Sequence, residues 1–243
     1  LLCHGFPECW YSWRHQMLAL AEAGYRAIAP DLRGYGQTDA PMAVDQYTLL
    51  HLVGDVIGLL DALDLPQAMI VGHDWGAPIA WHAALMRPDR IRAVAGLSVP
   101  WFPRTATRPS TAMPGTGGRI FYQAWFAIEG RAEAEFDRDI RATLRHLTWL
   151  WSGDNVGASV DDLMMVAEHG PMLAGRQPPA TLPAWVSDAD LDVYAAAFGH
   201  HGFRGPLNWY RNIDRSWELL APWSGTRITV PAIYLVGERD LLL

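Results

Sequence analysis

Val71-Gly72-His73-Asp74-Trp75-Gly76 is the most informative segment of this sequence for predicting the fold. The apolar run that leads into it, residues 68–71, predicts a buried strand, and residues 77–86 predict the first turns of a helix. The spacing Gly72-x-Asp74-x-Gly76 is that of a nucleophile elbow, in which small residues let a strand and a helix approach closely around a strained turn. Two interpretations of Asp74 stay open at this point. It is either a carboxylate nucleophile, already ionised near neutral pH, or a cap on the positive end of the helix.

Strands and helices alternate through the first hundred residues. We predict a helix over residues 10–22, a short strand over residues 26–30 and a helix over residues 48–63. After the elbow comes another buried strand, residues 91–97. This alternation is typical of an α/β protein in which a mostly parallel, doubly wound sheet carries helices on both faces.

The pattern changes after residue 100. Helices are predicted one after another without strands between them, until residues 227–236 return to strand character. A helical block inserted after an inner strand of a parallel sheet predicts a cap, or lid. We therefore assign residues 1–100 and 220–243 to an α/β core and residues 101–219 to the cap. The predicted cap helices cover residues 119–128, 131–151, 188–198 and 207–219, and Ser187 and Asp190 are predicted to form a capping box at the start of the third.

Length and composition favour a soluble protein of one large domain, or of one domain with an insertion. The chain has 243 residues, half of them hydrophobic, with no apolar run long enough for a membrane span. Its net charge of −7 and its lack of a basic cluster argue against nucleic acid or an anionic membrane as partner. Cys3 and Cys9 are predicted to be free thiols, which favours a cytoplasmic location. Both ends of the sequence resemble cut ends, so we expect a fragment of a longer polypeptide.

Three loops follow strand ends and are expected to meet at one edge of the sheet, where open α/β sheets bind ligands. They are residues 4–8, the elbow, and residues 237–240. The backbone N–H groups of Phe6 and Trp75 are candidates for an oxyanion hole. Asp240 is placed to orient a histidine base, although an Asp after a strand is most often a turn residue.

Four blocks of sequence, taken together, resemble one known family. They are HGFPE at residues 4–8, DLRGYG at 31–36, GHDWG at 72–76 and GPLNWYRN at 205–212. The chain resembles the soluble epoxide hydrolases of the α/β-hydrolase fold, and the resemblance covers essentially its whole length. The last block is the most specific, because it lies in the cap and supplies a tyrosine that related hydrolases lack.

The resemblance implies a mechanism. Asp74 attacks an epoxide carbon and forms an alkyl-enzyme ester, while Tyr122 and Tyr210 support the developing alkoxide. A histidine oriented by Asp240 then activates water, and the N–H groups of the oxyanion hole hold the resulting negative charge. Without the resemblance, both tyrosines would be ordinary amphipathic helix residues with solvated hydroxyls.

The same resemblance sets the remaining expectations. Trp75 and Trp125 are expected to contact a small apolar or aryl epoxide, and water is the second substrate. No metal or organic cofactor is implied, and a homodimer is the quaternary state to consider. His73 is expected to pack rather than to act in catalysis. None of the nine histidines follows Asp240 as the family pattern requires, so the catalytic histidine is expected outside this chain.

Two other functions remain open. A haloalkane dehalogenase uses the same Asp elbow, but it expels a halide and needs N–H donors rather than phenols. Phe6 in place of an Asn after His4-Gly5, together with the two cap tyrosines, favours the epoxide. The second alternative is a non-catalytic ligand-binding module on the same fold, which the missing histidine would suit.

Overall fold

The computed structural model describes residues 1–156, 158–178 and 180–241. Its main sheet has four parallel strands in the order β1-β2-β3-β7, and three further strands form a separate antiparallel sheet in the order β4-β5-β6. The main sheet confirms the predicted α/β class. The strands are β1 (Leu2–Cys3), β2 (Ala68–His73), β3 (Ile91–Leu97), β4 (Gly115–Thr116), β5 (Arg119–Phe121), β6 (Met165–Ala167) and β7 (Ala232–Leu235).

Helices supply the rest of the regular structure, with short 3-10 turns at Trp10–Trp13, Val44–Tyr47, Pro109–Ala112 and Ala221–Trp223. The helices are α1 (Arg14–Glu22), α2 (Leu49–Ala62), α3 (Gly76–Met86), α4 (Tyr122–Phe126), α5 (Arg131–Phe136), α6 (Ile140–Leu150), α7 (Val160–Met164), α8 (Asp188–Gly199), α9 (Arg204–Arg211) and α10 (Ile213–Leu219).

The core forms where α2 and α3 pack beside β2 and β3. Leu52, Val56 and Leu60 recur at a spacing of four along α2, so one face of that helix is apolar and buried. α3 is almost wholly apolar and buried, as expected for a helix enclosed between the sheet and a second helix. This packing fixes the strand and the helix that flank residue 74.

The structure corrects three boundaries predicted from the sequence. Residues 26–30 form no strand, and their link to the sheet is the Leu2 N–H, which donates to the Ile28 carbonyl oxygen (2.9 Å). The single helix expected over residues 131–151 is two helices, because Asp139 caps α6 by accepting from the Ala142 N–H (2.9 Å). The helix expected over residues 207–219 is also two, α9 and α10, which meet at Asn212. There the Asn212 amide donates to the carbonyl oxygens of Val44 and Asn208.

The expectation of a cap built from helices without strands was wrong. Residues 119–121, predicted to open a helix, are strand β5, and β4, β5 and β6 pair as a small antiparallel sheet. Gly117 and Gly118 join β4 to β5, and both have positive φ (58° and 75°), which a two-residue hairpin turn requires. The predicted capping box at Ser187 and Asp190 is present at the start of α8.

Two further observations concern membrane-spanning helices and the two cysteines. In the described part of the chain, no helix is long and apolar enough to cross a membrane. Cys3 and Cys9 are buried free thiols, and burial raises the pKa of both.

Candidate active site

Asp74 lies in the turn between β2 and α3 with a φ of 49°. Residues other than glycine rarely adopt this left-handed conformation, and it costs on the order of 1–3 kcal/mol where it persists. The surrounding backbone leaves no room for a relaxed turn. A Cβ on Gly72 would overlap the Gly76 carbonyl, and a Cβ on Gly5 would overlap the Asp74 side chain. The glycine spacing noted in the sequence is therefore what allows the turn to close.

Two backbone N–H groups hold the Asp74 carboxylate. The Phe6 N–H donates to Oδ1 (2.7 Å), and the N–H of Trp75 also donates to the carboxylate. No side chain caps the N-terminus of α3. The structure thus directs Asp74 toward the loop after β1 and does not support the helix-cap interpretation.

Burial raises the pKa of Asp74 to about 6. The positive charge of His73 and the two N–H donors oppose this effect by stabilising the carboxylate. At neutral pH the group is therefore ionised, but it is held in a less solvated and more reactive state than a surface carboxylate. A partly desolvated anion with fixed geometry has the properties of a nucleophile.

Glu8 and His73 form an ion pair beside Asp74. His73 Nδ1 lies 3.0 Å from Glu8 Oε2, and the Gly5 N–H donates to the same oxygen (2.9 Å). The charge of Glu8 raises the pKa of His73 to about 9 against the opposing effect of burial. Although burial alone would raise the pKa of Glu8, the charge of His73 and the two hydrogen bonds hold it at about 2. His73 is therefore a cation at neutral pH.

Tyr122 and Tyr210 both reach the same cavity as Asp74 from the cap. Their ring centroids are 6.1 Å apart. Tyr210 is buried against Phe6 and Trp75, with ring centroids 5.4 and 5.2 Å away. Burial and, next, the negative charge of Asp74 raise the pKa of both phenols, so both remain protonated hydrogen-bond donors. The structure thus brings Asp74, Tyr122 and Tyr210 to one cavity.

The cavity that these residues share has a volume of about 360 Å³. Asp240 lines it from the turn after β7, where its N–H donates to the Gly237 carbonyl oxygen (3.0 Å). The remaining lining residues are Phe6, His73, Ser98, Trp151, Gly153, Met164, Gly237, Arg239 and Leu241. The charge of Asp240 is a minor contribution to the raised pKa of His73.

Two tryptophans expected to contact substrate lie elsewhere. Trp125 is buried in the interior of the cap, where its Nε1–H donates to the Gly170 carbonyl oxygen (3.1 Å) and its ring packs against Phe136. The indole of Trp75 packs edge-on against Tyr210 and lines a second cavity, of about 470 Å³. Neither indole lines the cavity that holds Asp74. The sequence could not show this, because aromatic content does not reveal which rings face a cavity.

The sequence interpretation undervalued His73 and did not consider Gln123. His73 faces the cavity as an ion-paired cation, whereas a packing role was expected. Gln123 donates from Nε2 to the Tyr122 hydroxyl oxygen (3.1 Å). Its position next to Tyr122 in the sequence was the available signal. In the described residues, no group of three or more His, Cys, Asp or Glu side chains could hold a metal ion.

Comparison with known proteins gives consistent matches. Residues 1–240 match the family model described as the alpha/beta hydrolase fold. Epoxide hydrolase 3 of Siraitia grosvenorii is 46% identical over 242 residues, which are 99% of this chain and 74% of the relative. Epoxide hydrolase A of Mycobacterium tuberculosis is 44% identical over 247 residues, which are 100% of this chain and 76% of the relative.

A solved structure matches equally well. The epoxide hydrolase from an endophytic Streptomyces superposes with a TM-score of 0.93 at 46% sequence identity. The match covers 99% of this chain and 73% of that protein.

Proposed function

The chain belongs to the epoxide hydrolases of the α/β-hydrolase fold, and on that premise we propose that it converts an epoxide to a vicinal diol with Asp74 as its nucleophile. One observation carries the proposal. The Asp74 carboxylate, held by two backbone N–H groups, shares a cavity of about 360 Å³ with the phenols of Tyr122 and Tyr210. A nucleophile and two proton donors around one small space suit the opening of a strained three-membered ether.

In the first step, an oxygen of Asp74 attacks one epoxide carbon. A C–O bond forms to the carboxylate and the ring C–O bond breaks, so the electron pair of that bond goes to the ring oxygen. The resulting alkoxide takes a proton from a phenol and leaves a phenolate. The raised pKa of both tyrosines guarantees that this proton is present before the reaction begins. The product of the step is a hydroxyalkyl ester of Asp74.

In the second step, water attacks the ester carbonyl carbon. The negative charge then develops on the carbonyl oxygen, for which the N–H groups of Phe6 and Trp75 are the donors. The ester C–O bond then breaks to give the diol and the Asp74 carboxylate: one proton of the water goes to the departing alkoxide oxygen, and the other returns to the phenolate. We propose that Asp240 orients the histidine that activates this water.

His73 is not suited to be that base. Its pKa of about 9 keeps it protonated at neutral pH, and only a neutral imidazole can accept a proton from water. Of the described residues, no histidine other than His73 lines this cavity. The second step thus lacks a base among the described lining residues, so we expect ester formation to be faster than ester hydrolysis and the ester to be detectable.

The proposed substrate is a small apolar or aryl epoxide. Phe6, Trp151 and Met164 supply apolar surface around the nucleophile, and the volume suits a compact molecule. The position of the Trp75 indole, packed against Tyr210 and outside this cavity, does not favour a halide-binding role. This weighs against the haloalkane dehalogenase alternative.

The direct test is mass spectrometry of the protein after incubation with styrene oxide. We expect the mass to rise by that of one epoxide molecule, with the added group on the peptide that contains Asp74. Circular dichroism should first establish that the protein is folded. A folded protein that binds styrene oxide but gains no mass would contradict the nucleophilic role and favour the ligand-binding alternative.

The pH dependence of this alkylation follows from the pKa of Asp74. The protonated carboxyl is a poor nucleophile, so we expect the rate to fall as the pH drops through about 6 and to be constant above about pH 7. The measurement is the rate of adduct formation between about pH 4.5 and pH 8, corrected for uncatalysed epoxide hydrolysis. A rate that stays constant down to pH 4.5, in protein that remains folded, would contradict a raised pKa for the nucleophile.

A further inference from the structure

Gln123 makes a polar contact with a proposed catalytic group and has no role in the mechanism above. It lies beside Tyr122 in the first turn of α4, and its Nε2–H donates to the Tyr122 hydroxyl oxygen (3.1 Å). The helix begins directly after β5, which is paired on both sides within the cap sheet. The backbone that carries both side chains is therefore held firmly.

A phenol has one proton to donate and lone pairs with which to accept. If the Gln123 amide donates to the oxygen, the single proton of Tyr122 is free to point elsewhere. The negative charge of Asp74 raises the pKa of Tyr122, and an O–H dipole is most stable with its hydrogen toward such a charge. If the Gln123 amide were flipped, its oxygen would accept the Tyr122 proton in competition with the substrate. The orientation in which Nε2–H donates leaves that proton free, in agreement with the negative charge of Asp74.

The second phenol has a comparable arrangement. A hydrogen bond with the Trp75 side chain lowers the pKa of Tyr210 against the larger effect of burial, because it stabilises negative charge on the phenol oxygen. Gln123 acts on Tyr122 in the same direction. Each phenol thus has a neutral N–H neighbour that stabilises negative charge on its oxygen, and the contact of Gln123 with Tyr122 is a defined hydrogen bond of 3.1 Å.

We propose that Gln123 is a positioning residue for epoxide opening: its amide N–H holds the Tyr122 hydroxyl so that the phenol proton is directed to the substrate oxygen. This inference rests on the proposed function, because it assigns Gln123 a role through Tyr122. The same N–H would also stabilise the phenolate that forms when the proton is transferred.

The test is a double-mutant cycle on the rate of Asp74 alkylation by styrene oxide. Gln123→Met keeps the length of the side chain and removes the donor. We expect it to slow alkylation about tenfold, both alone and in a Tyr210→Phe background. In a Tyr122→Phe background, where the phenol oxygen is absent, we expect the same change to cost less than about twofold. A role in packing alone would slow alkylation by the same factor in every background.

A second variant reverses the polarity of the contact. Gln123→Glu has the same shape but offers a carboxylate, which would accept the Tyr122 proton and withdraw it from the substrate. We expect a loss of about a hundredfold, larger than that of Gln123→Met. An equal or smaller loss would contradict the proposed direction of the hydrogen bond.

Gln67→Met is the matched control. Gln67 is exposed, and its amide donates to the Asp89 carbonyl oxygen (2.9 Å), so this change should leave the alkylation rate as it is. Thermal unfolding establishes that each variant is folded.

Two outcomes separate the inference from the proposed function. If Tyr122→Phe leaves alkylation unchanged, the proposed role of the tyrosine fails. If Tyr122→Phe slows alkylation but Gln123→Met costs as much in that background as alone, only the role of Gln123 fails.

Discussion

Asp74→Asn is expected to abolish alkylation by an epoxide, the largest effect of any single substitution in this protein. A neutral amide lacks the charge that attacks the epoxide carbon, and a loss of at least about 10⁴-fold is typical when a nucleophile is removed. Asn tolerates the left-handed conformation at this position, and its side-chain oxygen can still accept from the Phe6 N–H. The variant therefore removes the chemistry with little change in shape, and mass spectrometry should detect no adduct.

The same substitution is expected to stabilise the fold. Burial raises the pKa of Asp74 from 3.8 to about 6, so the native state holds a proton more tightly than the unfolded state does. As the pH rises through this range, the native carboxylate ionises at a cost, and this residue makes the folded protein less stable. The shift corresponds to about 3 kcal/mol as an upper limit; because the side chain is only partly buried, we expect on the order of 1–2 kcal/mol.

Denaturant unfolding of both proteins at a series of pH values is the measurement. The free energy of unfolding of Asp74→Asn should exceed that of the unsubstituted protein at pH 7, and the difference should shrink as the pH falls toward 4. A variant that is less stable than the parent at pH 7 would mean that the carboxylate contributes to the fold and is not held there at a cost. Adduct formation by the folded variant would contradict the assignment of Asp74 as nucleophile.

Tyr122→Phe combined with Tyr210→Phe is expected to reduce alkylation below detection. Both phenols face the cavity of Asp74, and an alkoxide leaves poorly unless its charge is met by a donor. Loss of one donor to a developing oxyanion costs about 10²–10³-fold. Each single variant should retain measurable alkylation because the other phenol still acts, whereas the double variant loses both donors.

A substrate with a different leaving group makes this prediction specific. Phenacyl bromide also alkylates a carboxylate, but its bromide leaves without a proton. The double variant should therefore still gain the phenacyl group on Asp74 while failing to react with styrene oxide. Tyr25→Phe, at an exposed tyrosine, is the matched control and should react with both. Reaction of the double variant with styrene oxide at the original rate would remove the tyrosines from the mechanism.

The sequence was sufficient to predict the elbow, and the reason is local. The apolar run of β2, the flanking glycines and the apolar helix α3 are all close neighbours of Asp74 in the chain. Their effects act over a few residues, so the pattern of residue types already specifies a strand, a strained turn and a helix. The capping box of Ser187 and Asp190 is predictable for the same reason, because its reciprocal hydrogen bonds span only three residues.

The pairing of groups that are distant in sequence depends on the three-dimensional fold. Phe6 and Asp74 are 68 positions apart in the chain, and Glu8 and His73 are 65 apart, yet each pair is within hydrogen-bond distance. The cationic state of His73 follows from that pairing, so no reading of its neighbours in sequence could give it. Packing likewise placed Tyr122 and Tyr210 at the cavity and Trp125 inside the cap, although all three are aromatic residues of predicted helices.

The cap sheet shows the same division. Each of its strands is two or three residues long, too short to show an alternating pattern, and β6 lies more than 40 residues beyond β5. β5 and β6 can pair only when the chain between them closes into a loop, and sequence periodicity does not encode this closure. What the sequence determined is thus the chemistry available at one tight turn. The fold sets the charge states and orientations of the side chains at that turn, because both depend on burial and on contacts with residues distant in the sequence.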